Sequence, residues 1–513
     1  MGPLGHVLRK YLNGKALAGG YSWNVDAIST YVEGVTYALL IVPAIAYVIT
    51  KSLLTAMLLA PIPALPVLLT MAWAQYSVDS VRNNIEWELP FFAILLDIVH
   101  DVGGNVTHAF EVSGKVGLRW ISREWSIINR YALTTNSITR AMQLRARVHP
   151  SPEFQRFING YVSVWTYTGD VAGYVRNVED TYVSVLSNRL SALTRQVIDI
   201  VLAIASSLTI MVLFMIVMMV LGVGSSIMYV LPAIALIAPA IIARVYLSIP
   251  YIIRINITHN KGLITALMAT SILSTALLLH YGVYGVVALA LPPLTFSIFV
   301  TKSVNELRAS ILALPDLLRD VSEMVKAGVG IGAALERVLN NQYPDPLLNH
   351  LRKITRFNDV EIGAPWIMKY VLGILRELSS LGSPSRALDK LVKVLLDMKA
   401  LMTSISYNAR SLQALNYSLP FIFAGITLAS KFVISMLNSV IESAPYTLVG
   451  FVIPGISAVL LPLMITAYII SLSLAILSSL LNNLTLNPTV KFVAPVPLTL
   501  ILMLIVTEVQ VPV

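Results

Sequence analysis

The sequence predicts an all-α polytopic membrane protein, with about nine transmembrane helices and two homologous cytoplasmic helical bundles. Three observations predict it. Charged residues make up 12% of the chain and apolar ones 56%, whereas a soluble domain carries about 25% charged residues. The charge is gathered into two blocks, 75–195 and 302–412, set between apolar runs of bilayer length. One stretch also occurs in both blocks without a gap: Leu89/Leu314, Pro90/Pro315, Gly103/Gly328, Ala109/Ala334 and Glu111/Glu336 share a single offset.

Taken in order, residues 1–30 form a polar to amphipathic segment with Arg9, Lys10 and Lys15, expected on the cytoplasmic face. It lacks the continuous apolar core of a cleavable signal peptide. A transmembrane hairpin over 31–74 follows, with spans near 32–50 and 53–74 and only Lys51 at its tip. The first charged block, 75–195, holds 12 Lys/Arg and 11 Asp/Glu, the balance of a solvated domain and not of a basic loop. Four spans are expected in 196–301, near 198–222, 227–249, 263–281 and 283–301. The second block, 302–412, holds 15 Lys/Arg and 11 Asp/Glu, and about three spans follow in 413–513, near 414–437, 447–475 and 492–510. With the amino terminus inside, every sizeable Lys/Arg cluster falls on one side, as the positive-inside rule requires. That rule accounts for the net charge of +9 without nucleic acid as a partner.

Each copy of the repeated stretch reads as helix, glycine stop, helix. Pro90 and Pro315 are read at the first helical position, where a preset φ helps and no amide is wasted. Phe92, Leu96 and Val99, matched by Leu317, Val321 and Met324, lie at helical spacing on one face. Gly103 and Gly328 then stop the helix where a left-handed residue costs least. The first block continues as helix through Glu124–Arg147, breaks at His149-Pro150-Ser151-Pro152, and reopens after Gly169-Asp170. The second block breaks at Tyr343-Pro344-Asp345-Pro346 and at Gly382-Ser383-Pro384. Both blocks therefore read as all-α bundles of similar plan.

The chemistry is sparse. No cysteine is present, which removes disulfides, thiolate metal sites and cysteine nucleophiles. No G-x-x-x-x-G-K-[ST] occurs, so no built-in ATPase is expected. Gly328-Val329-Gly330-Ile331-Gly332 is glycine-rich but lacks the strand a dinucleotide site needs, and a helix–helix turn is the ordinary reading. His100 lies near Asp97 and Asp101, but His108 falls beyond the glycine break, so no metal site is read there. No catalytic residue and no cofactor is assigned, and the chain is not expected to be an enzyme. Among ionisable residues near the spans, Asp199 and Arg244 sit at span ends, Glu442 in a loop, and Lys431 inside a span. The basic residues of the two blocks include Arg119, Arg123, Arg319, Lys326, Arg337, Arg352, Lys353 and Arg356. Two protein-sized bundles held below a membrane suggest docking to something in the cytosol.

The twice-used Leu-Pro…Gly…Ala-x-Glu segment, in all-α blocks with membrane hairpins between, resembles the type II secretion system F family. More closely it resembles the archaeal platform proteins of type IV filaments, relatives of the Tad pilus membrane proteins. The residues that carry the resemblance are Glu88-Leu89-Pro90 with Gly103-Gly104, Ser122-Arg123-Glu124, and Pro150-Ser151 with Phe154, Phe157 and Gly169-Asp170. In the second copy they are Leu314-Pro315 with Gly328, Glu336 and Gly382. His100 departs from the second copy, which has Val325 there, and the span count exceeds that of the compact bacterial members.

The resemblance implies a non-enzymatic platform of a type IV pilus or archaellum assembly machine in the cell membrane. A hexameric cytoplasmic ATPase would drive it, pilin-like subunits would be moved from the bilayer into a filament, and a homodimer would suit the motor. On that reading the ATPase docks on the turns Gly103, Gly104, Asn105 and Gly328, Gly330, with Arg319, Lys326 and Arg337 beside them to meet an acidic partner. Small residues at Gly222, Gly224, Gly282, Gly285 and Gly425 are candidates for close packing with a pilin helix. The alternative is a secondary transporter or permease, which would show broken or polar spans at matching positions of the two halves.

Overall fold

The computed structural model describes residues 2–51, 59–220, 232, 235–255, 261–357, 364–381, 385–443 and 456–509, and every regular element among them is helical. Two compact units partition the chain, Met1–Leu186 and Ser187–Val513. Six helices are long and apolar enough to cross a membrane among the described residues: Val25–Pro43, Gly262–Tyr281, Tyr284–Lys326, Leu388–Met436, Leu460–Asn483 and Val490–Glu508.

In the first unit, α1 (Pro3–Gly19) and α2 (Val25–Leu39) are followed by α3 (Ile41–Thr50) and the long α4 (Leu65–Asp101). Shorter helices come next: α5 (Val106–Lys115), α6 (Arg119–Thr135), α7 (Ile138–Val148) and α8 (Pro152–Ser163). Helix α9 (Val171–Val220) leads out of the unit. The amino-terminal segment is part of this fold. Leu8, Leu12 and Ala16 of α1 share a buried cluster with Val25, Val32 and Ala74.

The end of α4, from Glu88 to Val99, is buried on all sides. Around it Phe92 meets Phe110 at 4.6 Å and Phe157 at 5.7 Å, and Phe110 stacks on Trp125 at 5.1 Å. Each such ring contributes about 1.5–3 kcal/mol by burial alone. Sequence signals set the helix starts. Ser151 accepts the Phe154 N–H with Pro152 in the first turn, and Asp170 accepts the Gly173 N–H after Gly169 at φ +71°.

In the second unit, α10 (Ile237–Ser248) and α11 (Lys261–Tyr281) precede α12 (Leu291–Lys326), the counterpart of α4. Then come α13 (Ile331–Val338), α14 (Asp345–Phe357), α15 (Trp366–Leu381) and α16 (Ser385–Asn408). Four more helices, α17 (Arg410–Ser443), α18 (Ile456–Asn483), α19 (Val490–Val493) and α20 (Pro495–Glu508), complete the unit.

Two expectations are corrected. Pro90 and Pro315 do not open helices; each lies inside a helix, of 37 and 36 residues respectively. Interior proline withholds one helical hydrogen bond and costs roughly 3 kcal/mol in an isolated helix. Here Leu89, Pro90, Leu314 and Pro315 are all buried, so packing holds the helix through the defect. The run Glu124–Arg147 is also not one helix. Asn136 adopts φ +51° and Ser137 caps a new start by accepting the Arg140 N–H, so α6 and α7 form a hairpin. Asparagine is among the few non-glycine residues that tolerate that conformation.

Candidate functional site

The two turns after the repeated helix have the same geometry. Gly103, at φ +82°, donates its N–H to the His100 carbonyl at 2.9 Å, and Gly104 donates to Val99 at 2.8 Å. Gly328, at φ +87°, donates to Val325 at 3.0 Å, and Val329 to Met324 at 3.0 Å. This pair of bonds is the Schellman helix stop, satisfying carbonyls that a helix end leaves open. A side chain on Gly104 would fall 2.5 Å from Val99 Cγ1, so glycine is needed there for space. Asn105 then caps α5 by accepting the His108 N–H at 3.0 Å, whereas Gly330 begins α13 with no side chain to offer.

The cations proposed beside the second turn differ in their partners. Lys326 pairs with Asp389 at 2.6 Å, and Ser322 donates to the same carboxylate at 2.8 Å. Arg319 lies 3.7 Å from Glu323, both exposed. Arg337 is exposed. Gly103, Asn105, Gly328 and Gly330 are exposed as well. Each turn with its charges is thus a solvent-facing knob at the end of a long helix.

A second constellation, which the sequence left unread, lies inside the first block. Glu88 accepts the N–H groups of Trp120 and Ile121 at 3.0 and 2.8 Å, supplying the cap that Leu118 cannot give to α6. Glu124 and Arg145 form a fully buried two-point pair at 2.6 and 3.1 Å. The same guanidinium donates to the carbonyls of Leu17 and Ala18, both at 3.0 Å. Arg123 donates to Gly19 at 2.8 Å and Gly20 at 3.2 Å and lies over the Tyr21 ring. Two arginines therefore sit on the negative end of the α1 dipole. At the other end of α1, the Glu33 carboxylate accepts the N–H groups of Gly2 and Gly5.

Buried His149 completes this group. Its Nδ1 accepts the Ser151 N–H at 3.0 Å, so Nε2 carries the proton, 3.8 Å from Glu124. Burial pushes the imidazole below its ordinary 6.5, outweighing the Glu124 carboxylate that would raise it. Burial alone would raise the Glu124 carboxyl, but His149 and Arg145 beside it hold it below the usual range. The signal that could have found this network was Ser122-Arg123-Glu124 together with Pro150-Ser151, residues of the resemblance itself.

Residues 92–223 match the family profile described as Type II secretion system (T2SS), protein F. The match covers about a quarter of the chain. No curated protein and no solved structure matches the chain. The T2SS protein F match begins inside the buried end of α4 and takes in the Gly103 turn, the Glu124–Arg145 pair and α9.

The remaining expected residues divide. Gly285 is a true close contact, because a Cβ there would meet the Leu277 carbonyl and the Leu278 backbone. Gly282, at φ +57°, makes the turn after α11, with open space around it. Gly425 is exposed on α17, with no neighbour at the position of a Cβ. Gly222, Gly224 and Gly382 lie outside the described residues. Lys431 donates to the Thr507 carbonyl at 2.6 Å and to that of Val509, capping the end of α20. His100 contacts the Gly104 carbonyl through Nδ1, and no metal-binding group of three is found among the described residues.

Proposed function

We propose that this chain is the membrane platform of a type IV pilus-like or archaellum assembly machine. It couples a cytoplasmic hexameric ATPase to the insertion of pilin-like subunits into a filament and performs no chemistry of its own. The observation that carries the reading is the T2SS protein F match over 92–223, set beside a second copy of its helix–glycine–helix turn at Gly328. Long helices that run from apolar segments to exposed knobs suit a part that is pushed, since displacement at one end is transmitted through a rigid element. The chain acts as a homodimer, with nine spans and both charged blocks on the cytoplasmic side.

Because the chain has no cysteine, single-cysteine labelling reads its topology without background. Residues introduced in 75–195 and 302–412 should react with impermeant reagents from the same side, and opposite sides would end the proposal. Coupling is tested by co-purifying the full chain with a hexameric assembly ATPase from the same cells, before and after K326E/R337E. Binding reduced by the reversal supports docking at the second knob. Undiminished binding removes Lys326 and Arg337 from the interface, and no binding by the unaltered chain removes the ATPase as partner.

A further inference from the structure

The α6–α7 hairpin carries charge of one sign. From Arg119 to Val148 the sequence has six arginines and one acidic residue, Glu124, which is buried against Arg145. Arg130, Arg140 and Arg147 are exposed and make no ion pair among the described residues. Around them Leu133 is 86% exposed, Ile138 41% and Leu144 37%. Arg140, Leu144 and Arg147 share one stripe of α7 by their spacing.

The hairpin has a defined direction. The first turn of α6 is bonded to Glu88, while Ile127 lies where a side chain on Gly20 would meet it. Gly19 and Tyr21, on either side, reach Val78 and the Ser77 carbonyl. Helix α6 therefore runs antiparallel to α4, away from the Gly103 knob. The tip at Asn136 lies about 13 Å further along at 1.5 Å per residue. That takes it toward the exposed Leu65, Leu68, Leu69, Trp73 and Tyr76 at the start of α4, the pattern of a helix entering the bilayer through an aromatic belt.

We propose that the α6–α7 tip rests on the membrane surface and takes anionic lipid headgroups. Arg130 and Arg140 bind lipid phosphates, and Leu133 and Ile138 enter the boundary between headgroups and acyl chains. An acidic protein surface would satisfy the arginines but would have no use for a leucine this exposed at the bilayer-facing end. A cytosolic partner meets the opposite end of α4 first. Through the Glu124–Arg145 pair, the tip would brace the first block against the bilayer.

The full chain, carrying L133C with a polarity-sensitive fluorophore, is reconstituted in nanodiscs of phosphatidylcholine alone and of phosphatidylcholine mixed with phosphatidylglycerol. In the mixed discs the label should shift to the blue and be quenched by brominated lipid, while a label at E111C stays in water. I138C serves as a second reporter. R130Q and R140Q should each lower the lipid-bound fraction constant roughly fivefold. Equal quenching in both discs, or water exposure of both reporters in the mixed discs, would overturn the proposal. So would shielding that appears only when the cytoplasmic ATPase is added, which would make the tip a protein interface.

Discussion

Helices α4 and α12 end at the same distance past Pro90 and Pro315 and close with the same glycine stop, yet their surroundings differ. Between Glu88 and Val99, α4 is buried on every side. Helix α12 buries one face, with Leu314, Leu317, Leu318, Val321 and Val325, and exposes the other. At the shared offset Phe91, Ile94, Leu95 and Ile98 become Asp316, Arg319, Asp320 and Glu323. Those four positions follow helical spacing, so one whole face changes from apolar to charged. Asp316 there pairs with Lys399 at 2.9 Å, and Asp320 accepts a hydrogen bond from Tyr343 at 2.6 Å. Around this helix the first copy buries charge, as the Glu88 cap and the Glu124–Arg145 pair. The second keeps its charge on the surface. One backbone plan thus serves a closed bundle and an open one.

The most forceful way to break the comparison is to exchange that face. I94R places an unpaired charge where Ile94 is 1% exposed, and such a change costs more than about 4 kcal/mol. The first block should lose its cooperative melt in the full chain. The reverse change, R319I, replaces an exposed residue and should shift stability by no more than about 0.5 kcal/mol. If both changes were mild, the closed and open description would be wrong.

The buried pair comes next. R145M leaves Glu124 buried without its cation and releases two carbonyls of α1, a loss of roughly 3–5 kcal/mol. Limited proteolysis should then cut within residues 1–24 well before the block unfolds, because α1 loses one of its two carboxyl-terminal anchors, with only Arg123 left there. Simultaneous cutting throughout the block would show that α1 is no separable strap.

How much of this the sequence disclosed depends on the range of the interaction. Gly103, Gly328, the break at Pro150-Ser151-Pro152 and Gly169-Asp170 were legible because a cap or stop is decided by residues a few positions apart. Pro90 and Pro315 were misplaced because proline's preset φ suits a first turn and an interior alike, and only burial of Leu89 and Leu314 decides between them. Arg145 was invisible, since its partners Glu124 and Leu17 lie 21 and 128 residues away. Arg123 looked like one more solvated cation for the same reason. The charged face of α12 was legible in principle by laying Asp316, Arg319, Asp320 and Glu323 beside their counterparts.

A milder probe uses pH. With the folded His149 held below 6.5, the unfolded chain takes up the proton first, so stability is whole above pH 6.5 and falls as pH drops below it. Glu124, held below 4.5, adds a further loss in more acid solution, as pH falls through its folded value. The histidine part of the slope is at most about 1.4 kcal/mol per pH unit. H149N keeps an acceptor for the Ser151 N–H and does not titrate, so melts between pH 7 and 5 should flatten. An unchanged slope would assign the acid sensitivity to another group.

The smallest expected effect belongs to the open copy. Lys326 and Asp389 are each about half exposed, and pairs of that kind contribute between about 0 and 1 kcal/mol because water and salt screen them. K326M should leave the melting of the second block almost unchanged, less still at high salt. That smallness is useful. A loss of ATPase binding on altering Lys326 could then be read as a lost contact, because the knob that presents it, built on the Gly328 backbone bonds, would still be folded. If K326M instead destabilised the second block as much as R145M is expected to destabilise the first, the two copies would hold their charges alike. The exposed turn would then be a structural clasp and not a surface for a motor.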